Sequence, residues 1–174
     1  MIKYFKIKIN LFRERKGFTL VEILIYLALM VTIALAVSQS LIAVLKSNRS
    51  AFADINLRNS GYSAMEGMIR EIRAAQIVDQ ASGGVLQVEQ NNGGNIVKFA
   101  TSSNLTLNFY EGASSTVLVG PLTSKGVSVE NLNFIQINTG KSTAIKIEMK
   151  LQTTTQGITK SAWFYDTAIL RGSY

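Results

Sequence analysis

Residues 17–45 read GFTLVEILIYLALMVTIALAVSQSLIAVL, and this stretch limits what the rest of the chain can be. The run from Ile23 to Val37 is almost unbroken apolar sequence; Ser38-Gln39-Ser40 interrupts it, and Leu41 to Leu45 resume it. From Ile23 to Leu45 there are 23 residues. As a helix at 1.5 Å per residue that is about 34 Å, enough to cross a hydrocarbon core of about 30 Å. Working outward toward the N-terminus, residues 1–17 hold Lys3, Lys6, Lys8, Arg13, Arg15 and Lys16 against Glu14 alone. That is a net +5 out of the +7 carried by all 174 residues, so the remainder is nearly neutral. A basic tail beside an apolar run reads as a cytoplasmic flank that fixes membrane orientation, not as a phosphate-binding surface. On the far side only Lys46 and Arg49 stand close, so the N-terminal end is expected in the cytoplasm and the rest of the chain is expected to be exported.

Three readings compete for this segment. A cleaved secretory signal has an apolar region of about 7 to 15 residues, shorter than this one. A plain signal anchor satisfies the hydropathy. What neither explains is Glu22, because an acid at the start of an apolar span is costly and usually has a partner. Its bland explanation is an interfacial carboxylate snorkelling to water.

The string Gly17-Phe18-Thr19-Leu20-Val21-Glu22, placed after a basic leader and before about 20 apolar residues, resembles the N-terminal cleavage and methylation motif of type IV prepilins and secretion pseudopilins. The resemblance covers roughly residues 13–45 and implies three site assignments. A membrane-embedded prepilin peptidase would cleave after Gly17, Phe18 would be the new N-terminus and be N-methylated, and Glu22 would serve subunit docking. Freed by cleavage, the α-amino group of Phe18 lies one helical turn before Glu22. In a low-dielectric bundle the natural mate for this carboxylate is the N-terminal ammonium of a neighbouring subunit. Many helices of this family carry a proline in or just beyond the membrane part, whereas the first proline here is Pro121.

Composition removes most alternatives. With no cysteine and no histidine, His-based triads, thiol nucleophiles and ordinary zinc sites are absent. No acidic cluster or Gly-rich phosphate loop takes their place, so no enzyme, cofactor, metal or small-molecule substrate is expected.

Beyond the span, Phe52, Ile55, Tyr62, Met65, Ile69 and Ile72 recur at helical spacing and predict an amphipathic continuation. Asp54 with Arg58 and Glu66 with Arg70 predict i,i+4 ion pairs on its wet face. Gly61 and Gly67 each cost such a helix about 1 kcal/mol, which points to a kink or a close backbone approach. Ser82-Gly83-Gly84 ends the helical pattern. Strands are expected near 85–90, 95–101, 105–111, 115–119, 127–137, 145–151 and 162–170, with turns at Asn91-Asn92-Gly93-Gly94 and Ser102-Ser103-Asn104. Trp163-Phe164-Tyr165 reads either as a binding platform or, more simply, as a strand giving alternate residues to the core.

The expected fold is α+β, a long N-terminal helix packed on a C-terminal antiparallel sheet. Its parts are a leader at 1–17, a membrane and filament-core helix at 18–45, an amphipathic helix at 46–80, and a β-rich head at 81–174. The resemblance implies a filament subunit, a minor pilin or a J-like pseudopilin of a type IV pilus or type II secretion system. The implied partners are prepilin peptidase, other pilin subunits, an assembly platform with its cytoplasmic ATPase, and the inner membrane. The location it implies is the inner membrane, single-pass, and afterwards an extracytoplasmic or cell-surface filament. The rival reading is a DNA-binding competence pseudopilin. That reading needs a basic stripe, yet Lys141, Lys146, Lys150 and Lys160 are scattered between acids, so nucleic acid is not expected as a partner.

Overall fold

A computed structural model describes residues 17–90, 94–113 and 117–171. The basic residues Lys3 to Lys16, the turn residues Asn91 to Gly93 and the start of the strand expected from 115 lie outside the described residues. The chain divides into two compact units, Met1–Val44 and Leu45–Tyr174. One helix, α1 (Leu20–Ala74, 55 residues), belongs to both and is uninterrupted, as the lack of proline before Pro121 permits.

In the first unit α1 is apolar except for Glu22, Thr32 and Ser38-Gln39-Ser40. Its Thr32 and Ser38 hydroxyls donate to the carbonyls of Leu29 and Ala34, each at 2.8 Å, so these two polar side chains are satisfied within the helix itself. In the second unit α1 packs against antiparallel strands, an α+β architecture. The strands are β1 (Ile77–Ser82), β2 (Val85–Gln90), β3 (Asn95–Thr101), β4 (Leu107–Gly112), β5 (Val117–Pro121), β6 (Val127–Asn138), β7 (Thr143–Thr155) and β8 (Ile158–Ile169).

Four expectations are corrected here. The helix ends at Ala74, not near residue 80, and Ile77–Ser82 is a strand. Gln76 leaves the helix to donate its backbone N–H to the Glu89 carbonyl at 2.9 Å, and Gln90 Nε2 satisfies the Glu71 carbonyl at 3.2 Å. Pairing with β2 therefore outweighs local helix propensity. Second, the strands form two sheets, β1-β2-β3-β4-β5 and β6-β7-β8, where one was expected.

Third, the buried face of α1 is Ala53, Leu57, Ser60, Gly61, Ala64, Met65, Met68 and Ile72. Phe52, Ile55 and Tyr62 of the expected stripe are exposed, whereas Met65 and Ile72 are buried and Ile69 packs at the edge of the core. The helix turns its small residues inward because they let the sheets approach. Fourth, Asp54 and Arg58 do pair at 2.8 Å, but Arg70 pairs with Glu71 at 3.0 Å instead of with Glu66.

Strand periodicity supplies the rest of the core: Leu86 and Val88, Val97 and Phe99, and Ile145, Ile147, Met149 and Leu151 all point inward. In β6 the alternation breaks, with Val127 and Val129 buried on one parity and Leu132 and Phe134 on the other. A register shift between Val129 and Asn131 keeps both pairs inside.

Gly61 is the close approach foreseen above: a Cβ there would overlap the Phe164 ring, which fills the notch edge-on to Tyr62. At Gly67 a Cβ would make only an ordinary contact with Leu122 at 3.5 Å. A fragment starting at Ser47 should thus be soluble and melt cooperatively. Within it Gly61→Ala should lose about 1–3 kcal/mol by overpacking, with Phe164→Leu recovering part of that loss. Chemical denaturation of the three variants measures this; an Ala variant as stable as the parent removes the notch argument.

Candidate functional site

The first turn of α1 is built by its own sequence. Thr19 precedes the helix as its N-cap: its carbonyl accepts the Ile23 N–H at 3.2 Å and its Oγ1 accepts the Glu22 N–H at 3.3 Å. Thr19-Leu20-Val21-Glu22 thus has the spacing of a capping box, a signal legible in the sequence that the motif reading passed over. The box is only half used. Glu22 does not fold back onto the Thr19 N–H; its Oε1 accepts the Tyr26 hydroxyl at 2.9 Å, one turn along. Tyr26 is the second residue that the sequence reading missed.

This geometry suits a carboxylate in two ways. At the N-terminal turn the positive end of the helix dipole favours negative charge, and the Tyr26 hydroxyl supplies a directed donor. Neither cancels the charge, and a carboxylate has further lone pairs to fill. Glu22 is therefore held in place with capacity left for a cationic partner.

Gly17 and Phe18 stand outside the helix, which begins at Leu20. Both are exposed, and the Phe18 ring is 70% exposed, its edge meeting Tyr26 with ring centroids 6.3 Å apart. A peptide bond in an irregular, exposed segment can enter a protease cleft, whereas one inside a hydrogen-bonded helix cannot without unwinding. A Cβ at Gly17 would meet nothing within 4 Å, so the fold of the described residues places no demand for glycine there. The structure brings Thr19, Glu22, Phe18 and Tyr26 together at one helix start, with Gly17 just ahead.

From Phe18 to Val44 every large apolar side chain is 52–75% exposed. The most apolar window of this helix has a mean hydropathy of 2.6 and none of it is buried among the described residues. By length and composition it can cross a membrane.

On the head, Lys146 and Lys150 are matched by acids. Lys146 meets Glu148 at 2.7 Å and Lys150 meets Glu130 at 3.0 Å, while Lys150 also lies over the Trp163 ring at 5.8 Å. The hydrogen bond from Lys146 holds the Glu148 carboxyl below the usual glutamate value, and Glu148 in turn raises Lys146. No group of three or more metal-ligating side chains occurs among the described residues.

Residues 12–38 match the family model described as the prokaryotic N-terminal methylation motif. No curated protein and no solved structure matches the chain.

The Lys146–Glu148 pair gives a pH signature. Because the folded pKa of Glu148 is lowered, its stabilising contribution is present above the ordinary glutamate pKa and is lost as pH falls through the folded value. An NMR titration of the Ser47 fragment should place Glu148 below an unpaired glutamate, and Lys146→Ala should return it upward. The pair is solvent-screened, so the accompanying stability change should be small.

Proposed function

We infer, from the premise that this N-terminal motif is that of type IV pilin-like precursors, that the chain is a structural filament subunit of a type IV pilus or type II secretion system. The observation that carries the reading is the conjunction of the motif with an apolar helix that none of the described residues covers. In the precursor that surface is matched by lipid, and in the filament by the helices of other subunits. The basic residues of 1–17 keep the leader in the cytoplasm, prepilin peptidase removes it after Gly17, and Phe18 becomes the methylated N-terminus. Other pilin subunits, an assembly platform and its ATPase then draw the helix out of the bilayer. A minor pilin or pseudopilin role is favoured by the lack of a cysteine pair in the head.

Glu22 is the docking group in this reading. Its place in the first turn, oriented by Tyr26, puts an unneutralised carboxylate where a neighbour's Phe18 ammonium can pair with it. Away from water, charge pairing of this kind is strongly preferred to a lone acid.

The alternative is a DNA-binding competence pseudopilin. In its favour, Arg70, Arg73 and Arg171 line one hollow beside the C-terminal end of α1, a convergence not legible in the sequence. Against it, Arg70 is bonded to Glu71, and Lys146 and Lys150 are bonded to acids. The structural-subunit reading therefore stands first.

Two measurements test it. N-terminal sequencing of the membrane-extracted protein, from cells with an active prepilin peptidase, should begin at methylated Phe18; an intact leader there counts against the whole assignment. Glu22→Ala should leave membrane insertion intact or improved, since the span becomes more apolar, yet reduce recovery in sheared filaments by about tenfold or more. Glu22→Gln separates charge from shape and should behave like Ala. Wild-type recovery of the Ala variant would remove Glu22 as the docking group.

A further inference from the structure

Of Trp163-Phe164-Tyr165 only Phe164 serves the core. Trp163 and Tyr165 stand on the opposite face of the β6-β7-β8 sheet, where they remain 46% and 59% exposed. Their rings stack with centroids 5.6 Å apart and 10° between the planes, and Lys150 Nζ lies over the Trp163 ring. The pair is thus held in one orientation while about half of its surface faces outward, so a ligand that stacks there loses little side-chain freedom.

Strand register sets the neighbours of the two rings. Lys150 lies directly across from Trp163 and Glu148 across from Tyr165, with Asn131 and Asn133 next in the same rows on β6. One step along the strands, Gln152 faces Ser161. Among the described residues the side-chain amides of Asn131 and Gln152 and the hydroxyl of Ser161 are not drawn into hydrogen bonds. Each amide offers two donors and an acceptor, and the hydroxyl offers both kinds of contact.

Charge narrows the ligand. Lys146 pairs with Glu148 and Lys150 with Glu130, so this face keeps no surplus of positive charge. Nucleic acid, whose bases also stack on aromatic rings, needs such a surplus for its phosphates. What remains is an aromatic pair flanked by uncharged donors and acceptors on an open sheet face. A pyranose ring with equatorial hydroxyls matches both parts, because its C–H face is apolar and its rim is a circle of hydroxyls. In a β-1,4-linked chain successive rings form a flat ribbon, which suits a sheet surface.

We propose that the outer face of the β6-β7-β8 sheet binds an uncharged β-1,4-linked glycan, with sugar rings stacked on Trp163 and Tyr165 and hydroxyls bonded to Asn131, Gln152 and Ser161. The contact lies wholly on the head and does not depend on the filament reading.

Trp163 is the one tryptophan of the chain, so its fluorescence reports on this face alone. The full-length protein in phosphatidylcholine vesicles is titrated with cellohexaose, with hexa-N-acetylchitohexaose and with a single-stranded oligonucleotide. At least one hexasaccharide should shift the emission saturably, and the oligonucleotide should not. Tyr165→Ala should raise Kd about tenfold, Tyr165→Phe should keep it within about twofold, and Asn131→Ala combined with Gln152→Ala should raise it about tenfold. Glu22→Ala should leave it unchanged, which separates this site from the docking group. Far-ultraviolet circular dichroism and melting of each variant check that the head stays folded. No shift with either hexasaccharide overturns the proposal. A shift that survives Tyr165→Ala also overturns it, and so does one that the oligonucleotide reproduces, which would make the face a nucleic-acid platform.

Discussion

A half-buried carboxylate and a sheath of exposed hydrocarbon share the first half of one helix, and among the described residues the hydrocarbon has no cover. Every large apolar side chain from Leu20 to Val44 is more than half exposed, and Glu22 has the Tyr26 hydroxyl as its bonded partner. In water such a surface would be strongly unfavourable, at about 25 cal/mol for each Å² left wet. The first unit is therefore a surface designed for another environment. In the proposed filament, lipid or neighbouring helices would satisfy the apolar wall and a neighbour's ammonium would satisfy Glu22, so the acid would give direction and register where the hydrocarbon gives only affinity.

The second half of α1 obeys the opposite demand. There the helix must hide one face under two sheets, and it does so by approaching closely. Gly61 admits the Phe164 ring, Ser60 and Ala64 are buried on the same face, and Ser60 Oγ accepts the Ser124 N–H at 2.9 Å. Gly61 costs helix propensity in isolation, about 1 kcal/mol, yet the ring that fills its notch ties β8 to the helix. Met65, Met68 and Ile72 continue the same face into the core formed by Leu86, Val97, Phe99 and Ile147.

The three-stranded sheet ends on β8. β8 is fixed on its inner side by β7 and by Phe164, and its outer side carries Trp163 stacked on Tyr165 with ring centroids 5.6 Å apart. Aromatic residues beside a free edge combine large contact area with low entropy cost, as recognition surfaces do.

The sequence by itself determined whatever is local or one-dimensional. The 23-residue apolar run, the basic flank, the motif from Gly17 to Glu22 and the strict alternation around Ile145 to Leu151 need no partner to be recognised, because length, charge and period 2 are properties of the string. Thr19 and Tyr26 were equally local and legible, as a capping box and an i,i+4 neighbour of Glu22. Tertiary structure decided the rest. The inward face of α1 could not be read from its large apolar residues, since burial went to Ala53, Ser60, Gly61 and Ala64, whose small size matters only once a sheet lies against them. Ile77–Ser82 became a strand because β2 was there to accept its hydrogen bonds. Phe164 went inward while Trp163 and Tyr165 stayed outside, since a pleated strand has two faces and only the packed helix fixes which is dry.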